Sequence, residues 1–140
     1  MRYLLDTCVI SEPTKKRPVR QVLTWLDVQE ELSLFLSVLT LGELQKGIST
    51  LPESSRRSQL QHWVAQALPR RFTGRLLPLD QEVASRWGML TGEAERAGHP
   101  MPVLDGLLAA TALVAGMTLV TRNTPHMAHT GAVVFDPWTA

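Results

Sequence analysis

Met1–Pro13 reads MRYLLDTCVISEP, and this stretch sets the fold class. Arg2 to Leu5 is a short apolar run that ends on Asp6, the pattern of a buried strand. Thr7 to Glu12 fits a first helical turn, stopped by Pro13, whose ring cannot continue a helix. A strand that runs at once into a helix is the opening of an α/β chain.

The same alternation continues downstream. A second helix opens at Arg17–Pro18, with Val22, Leu23, Trp25 and Leu26 at helical spacing. Ser33 to Ser37 (SLFLS) reads as a strand, and Leu39 to Leu51 as a helix whose stripe is Leu41, Leu44, Ile48 and Leu51. Pro52 ends that helix. Ser54 to Phe72 is a long amphipathic stretch that Pro69 breaks or ends, and Arg75 to Leu79 is a third strand. Asp80 caps a helix through Val83, Ala84, Trp87, Leu90 and Ala94, closed by Gly98, His99 and Pro100. Leu104 to Ala115 is an alanine- and leucine-rich helix ended by Gly116. Met117 to Thr121 and Ala132 to Phe135 are strands, separated by a polar, loop-like segment from Asn123 to Thr130. Alternating strands and helices predict an α/β fold with a mostly parallel sheet and helices on both faces.

Composition narrows the class. With 140 residues and 44% hydrophobic content, one domain with a real core is expected over residues 1–140. The N-terminus lacks the apolar run and cleavage site of a secretory signal, and no stretch is long and apolar enough to span a bilayer. A cytoplasmic protein with no membrane partner is the expectation. Cys8 is the one cysteine, which excludes an internal disulfide and a thiolate zinc finger, and its apolar neighbours suggest a small buried hydrophobe. A net charge of +1 does not announce nucleic-acid binding. The cations cluster, however: Lys15, Lys16, Arg17 and Arg20; Arg56 and Arg57; Arg70, Arg71 and Arg75. Such runs fit either forked contacts to phosphate or solvated helix ends.

In open parallel sheets ligands bind beyond the carboxyl ends of the strands. Asp6 ends the first strand, and Asn123 lies just past the fourth, after Thr121 and Arg122. Asp105 begins an apolar helix whose N-terminus can point to the same edge. Glu43 lies beside the apolar stripe of its helix, where a carboxylate is costly unless paired or metal-bound. Taken singly, Asp6 and Asp105 also fit helix caps, and Glu43 a pair with Lys46 or a solvated position. Taken together, carboxylates converging on one cleft repel, and a divalent cation resolves that repulsion. Hard oxygen ligands suit magnesium or manganese.

The segments LLDTCVISEP, LTLGELQKG, VLDGLLAATA and LVTRNT, in this order, resemble the successive motifs of the PIN-domain family. More narrowly, the chain resembles the VapC-type toxin ribonucleases, in particular the FitB-like branch, which shares the ISEP start and an FDPW-like end, here Phe135 to Trp138. The resemblance covers essentially the whole chain. It implies a PIN-like three-layer α/β/α fold with about five short strands. The implied activity is that of a metal-dependent endoribonuclease, the toxin of a toxin–antitoxin pair. Its implied partners are RNA, a cognate antitoxin and a second copy of the chain in a homodimer. It places the metal ligands on Asp6, Glu43 and Asp105, with Mg2+ or Mn2+ as cofactor. The family's fourth acidic position falls on Asn123, which brings no negative charge, and Cys8 replaces the family's common asparagine. Thr121 matches a hydroxyl residue that helps order the site. Thr7 and Arg122 are candidate substrate contacts.

Other readings stay open beside this one. An aspartate after the first strand also suits a haloacid-dehalogenase-like phosphatase, but Cys8 stands where that chemistry wants a second aspartate. Asn123 leaves room for a PIN-like scaffold that binds RNA or protein with weakened catalysis. His126 and His129, three apart, fit either a zinc site or polar loop positions. Glu12 fits either a substrate contact or a pair with a cation, and Trp25 and Trp63 either core packing or an interaction surface.

Overall fold

In the computed structural model, which describes residues 1–140, strands and helices alternate as the opening stretch requires. β1 (Tyr3–Leu5) runs into α1 (Thr7–Ser11), followed by a tight turn over Glu12–Thr14. Next come α2 (Arg20–Val28), β2 (Leu34–Ser37) and α3 (Val38–Ser49). α4 (Ser55–His62) leads through a wide turn, Trp63–Ala67, into α5 (Leu68–Arg71). Then follow β3 (Leu76–Leu77), α6 (Gln81–Arg96), α7 (Val103–Ala115), β4 (Thr118–Val120), α8 (Thr124–Met127) and β5 (Val134–Phe135).

The five strands lie in the order β3-β2-β1-β4-β5, and every pairing is parallel. β1 is central: Leu4 pairs with Phe35 on one side and Leu119 on the other. Successive strand side chains point to opposite faces, and both faces are apolar here. Leu5, Leu34, Leu36 and Val120 form one core with Val9, Ile10, Leu44, Ile48, Val64, Leu68 and Phe72 from α1, α3 and the α4–α5 region. Leu4 and Leu119 form the other with Leu108, Ala109, Ala112 and Met117, and with Met127 of α8. Leu4 and Leu5 are each fully buried, worth roughly 1.5–3 kcal/mol apiece relative to exposure. The sheet is thus covered on both faces, a three-layer α/β/α arrangement. No helix is long and apolar enough to cross a membrane.

Several local expectations need correction. The segment from Asn123 to Thr130 is not all loop. Its first half folds as α8, anchored by buried Met127 and opened by Pro125 in the first turn, where a missing N–H costs nothing. Pro69 does not end the long helical stretch. Before it the backbone widens, so that the Leu68 amide reaches the Trp63 carbonyl, and this wider turn carries the proline ring past the point of clash with the preceding turn. Strand and helix ends move by a few residues; β3 is confined to Leu76–Leu77 and β5 to Val134–Phe135.

Within the Arg70–Arg75 cluster, Arg70 is exposed, whereas Arg71 and Arg75 are committed to partners within the chain. Arg75 is buried and donates from Nη1 to the carbonyls of Glu31 and Leu34, at 2.6 and 2.7 Å, and from Nη2 to the Arg71 carbonyl and the Glu31 carboxylate. Arg71 forks onto the same carboxylate at 2.9 and 3.0 Å. Hydrogen bonds from Arg71, joined by Arg75, hold the Glu31 carboxyl below the usual range, although burial works against it. Trp25 and Trp63 are half-buried against the first core, Trp25 edge-on to Tyr3 with ring centroids 5.1 Å apart.

Candidate active site

The strand order reverses between β1 and β4, because the chain runs outward through β2 and β3 before returning to the other side of β1. Such a switch point is where an open α/β sheet forms a crevice at its carboxyl edge. Asp6 follows β1 there, its amide bonded to the Val120 carbonyl at 2.9 Å. Thr121 follows β4, its amide bonded to the Phe135 carbonyl at 3.0 Å. The short strands therefore deliver both residues to one edge.

Asp6 is 5% exposed and Thr121 fully buried. The Thr121 hydroxyl donates to Asp6 Oδ2 at 2.7 Å and accepts from the Asn123 amide at 3.0 Å. Asp6 Oδ1 accepts from the Thr7 amide at 2.7 Å, so Asp6 is indeed the cap of α1. The Thr7 hydroxyl donates to Glu43 Oε1 at 2.8 Å, and the Lys46 pair does not form. Thr7 thus ties the carboxylate after β1 to the carboxylate on α3, the helix that follows β2. Asp105 is the third residue of α7 and makes no cap hydrogen bond. Its Oδ2 lies 2.6 Å from His126 Nδ1 on α8.

The electrostatics show that the three carboxylates share one region. Burial raises the Asp6 pKa; hydrogen bonds from Thr121 and Thr7 oppose this, and the charge of Asp105 adds to it. Burial likewise raises Glu43, with the Thr7 hydrogen bond opposing and the charges of Asp6 and Asp105 adding. Each carboxylate is nevertheless engaged differently, Asp6 with Thr121, Glu43 with Thr7 and Asp105 with His126. No three His, Cys, Asp or Glu side chains close into a ready ligand cage. The donor set fits a hard divalent cation by its chemistry, all oxygen and mutually repulsive, with Asp105 Oδ1 outside the His126 contact.

Cys8 is half-buried rather than part of the core. Its Sγ lies 3.8 Å from Asp6 Oδ2 and 3.9 Å from Thr121 Oγ1. Burial, then the charge of Asp6, pushes its thiol up to about 11, so it remains protonated at neutral pH. Asn123 and Arg122 are exposed at the same edge.

Three contacts here have no pattern in the sequence that marks them. His126 meets Asp105 through the fold of α8, which the polar composition hid. Arg122 lies over the Trp138 ring, 4.4 Å from its centroid, so the C-terminal tail returns to the strand ends. Glu12 is 1% exposed. Burial disfavours its charge, yet Lys15 at 3.0 Å and the Val19 amide at 3.1 Å hold its carboxyl below the usual range. Glu12 therefore fastens the loop before α2. His129 stacks on His99, with ring centroids 4.4 Å apart.

Comparison with known proteins agrees with this fold. Residues 3–131 match the family described as PIN domain. The chain is 35% identical to toxin FitB of Neisseria gonorrhoeae over 135 residues, covering 96% of this chain and 97% of that protein. It is also 35% identical to VapC ribonuclease Y4jK of Sinorhizobium fredii, covering 96% of each. Among solved structures, the crystal structure of FitAcB from Neisseria gonorrhoeae superposes with a TM-score of 0.93 at 34% identity, covering 99% of both chains. A sheet of this order, carboxylates at its switch point and a match along nearly the whole length place this chain in the PIN-domain family.

Proposed function

We propose that this protein is a divalent-metal-dependent endoribonuclease and the toxin half of a toxin–antitoxin pair, with the whole chain acting as one catalytic domain. The observation that carries this reading is the gathering of three carboxylates at the switch point of the sheet, where Asp6 and Glu43 are both raised by burial first and then by neighbouring negative charge, that of Asp105 included. The names of its relatives, a ribonuclease and a toxin, support it.

Asp6, Glu43 and Asp105 would hold Mg2+ or Mn2+. When bound, such an ion lowers the pKa of water and offsets charge on the phosphate. Thr121 and Thr7 fix the carboxylates of Asp6 and Glu43 through their hydroxyls, so these oxygens are oriented before substrate arrives. His126 holds Asp105 by one oxygen. Arg122, braced on Trp138, takes a phosphate oxygen of the RNA, and the Thr7 hydroxyl, which donates to Glu43, would accept a hydrogen bond from the substrate. Asn123 stands at the fourth acidic position of the family and supplies an amide oxygen without charge, which limits the charge available for a second ion.

The antitoxin is assigned a seat beside Glu43. A groove of about 220 Å³ runs from Thr7 and Glu43 past Leu44, Leu51, Leu60 and Trp63, and suits an apolar segment that ends on the carboxylates. A second copy of the chain could cover Met89, Val103 and Leu104, apolar side chains exposed on the packed α6–α7 pair. The cytoplasm is the proposed compartment.

Cleavage of total cellular RNA by purified, antitoxin-free protein tests the reading, with magnesium or manganese, an EDTA control and Asp6→Asn. Metal-dependent cleavage that disappears in the variant is expected. Metal binding without cleavage by folded protein would instead support the scaffold alternative, to which the uncharged Asn123 lends weight.

A further inference from the structure

A cavity of about 330 Å³ opens beside Asp105, between the end of α6, the Gly98–Pro102 turn and α8. Its wall includes His99, Pro100, Pro125, His126, His129 and Thr130. His99 and His129 lie ring on ring, 4.4 Å apart and 9° from parallel. They come from distant parts of the chain, and both are exposed. His126 lines the same cavity while its Nδ1 meets Asp105 at 2.6 Å. The cavity and the carboxylate region therefore share a side chain.

The chemistry of this wall discriminates between ligands. A transition metal is disfavoured, because stacked imidazoles aim their nitrogens in parallel planes and do not converge on one ion. His126 has its Nδ1 engaged with Asp105, and no three metal-ligating side chains cluster. A phosphate is disfavoured by the Asp105 carboxylate at the edge. A flat, uncharged ring with a π-face fits, because it can add a third layer to the histidine pair with proline rings beside it. Single-stranded RNA presents such rings, and proteins take up unpaired bases by stacking them on aromatic and histidine side chains.

We infer that this cavity receives an unpaired nucleobase flanking the phosphate at the carboxylates, an inference that rests on the ribonuclease reading above. Stacking accepts any base, since every base offers a π-face. The site therefore selects unpaired over paired nucleotides and contributes little to base identity. A nucleotide locked in a duplex cannot place its base here.

Two measurements test this. In the first, adenosine and uridine are titrated into metal-free protein while the imidazole proton resonances are followed by NMR. Upfield ring-current shifts of His99 and His129 with both nucleosides are expected, and shifts confined to other residues overturn the inference. In the second, steady-state cleavage is compared on single-stranded RNA that is intact or carries one abasic residue on either side of the scissile bond. Loss of the stacked base should raise KM about tenfold in the wild type. His129→Ala should show the same rise on intact RNA, with no further penalty from the abasic residue, and His129→Phe should restore both. His99→Ala provides a second variant should His129→Ala lose its fold. Equal abasic penalties in wild type and a folded alanine variant overturn the inference. Nucleoside shifts without RNA cleavage would uphold the base site and sink the nuclease reading. Cleavage with neither shift nor abasic effect would do the reverse.

Discussion

Asp6 is a carboxylate kept where its charge is expensive. Burial and the charge of Asp105 raise its pKa, and burial raises Glu43 as well. The consequence for stability has a definite sign. Where the folded pKa exceeds the unfolded one, the native state holds protons that the unfolded state has released, so stability falls as pH rises between the two values. Metal-free protein should therefore lose stability as pH climbs from the ordinary carboxylate range, 3.8 for Asp and 4.5 for Glu, toward the raised values of Asp6 and Glu43. Asp6→Asn should flatten that slope and raise the apo melting temperature by a few degrees, roughly 2–8 °C per kcal/mol recovered, while abolishing cleavage. Thermal melts across pH for both proteins check this; an unchanged slope in the variant would show that Asp6 carries no such strain. Thr121 is the complementary case. Its hydroxyl serves two partners at once, so Thr121→Val leaves Asp6 and the Asn123 amide each without one. A stability cost of about 1–3 kcal/mol is expected from the unsatisfied groups, with reduced cleavage, and Thr121→Ser should retain most of both. Denaturant titration and initial rates separate the two effects.

At the scale of elements, the sequence showed its strands and helices best where apolar pattern and chain chemistry agreed. The LLDT stretch and the Asp80 cap appear as read, and of the stripe Leu41, Leu44, Ile48 and Leu51 the middle two are buried, while Leu51 lies past the end of α3 and is exposed. α7 ends at Gly116, whose φ of +67° is costly for any residue with a side chain beyond hydrogen. Gly116→Ala should cost about 1 kcal/mol, since the left-handed conformation crowds Cβ against the carbonyl, and a lowered denaturation midpoint with unchanged activity measures it. What the sequence hid has physical reasons. Pro69 signals a break by its missing N–H, but a single widened turn absorbs that defect without ending the helical run. α8 is four residues long and held by one buried side chain, Met127, a signal too small to read against polar neighbours. Arg75 looks like a surface cation, yet three backbone carbonyls and Glu31 enclose it at the β2–β3 edge. Those partners depend on chain reversals that no local pattern records. Arg75→Met leaves the carbonyls unpaired and should destabilise by roughly 2–4 kcal/mol, without an effect on RNA affinity in the protein that remains folded.

Across the whole molecule, the place of Asp6 at the carboxyl edge of the sheet was legible because strand-end position is a property of sequence order, and the Asp105–His126 and Thr7–Glu43 contacts were not. Thr7 to Glu43 spans 36 positions, and His126 to Asp105 links a small helix to the first turn of α7. The same distinction governs charge. The chain carries a net charge of +1, and some of its cations are engaged: Arg71 and Arg75 with Glu31, Lys15 with Glu12, and Arg56 with the Thr14 carbonyl. Arg122 follows Thr121 directly at the strand ends and lies over Trp138, with no carboxylate paired to it. With Arg122 as the one cation assigned to phosphate, RNA affinity should fall only gently with salt, since few phosphate contacts then release counterions. Each contact to a single strand contributes about −0.7 to the slope of log K against log salt. Arg122→Met should make the slope shallower by about that amount, while Arg71→Met should leave it unchanged because Arg71 is committed to Glu31. Fluorescence anisotropy of a labelled single-stranded RNA with metal-free protein, over a series of salt concentrations, gives all three slopes. Equal flattening by both substitutions would return the Arg70–Arg75 cluster to the RNA surface and remove Arg122 from its assigned place at the phosphate.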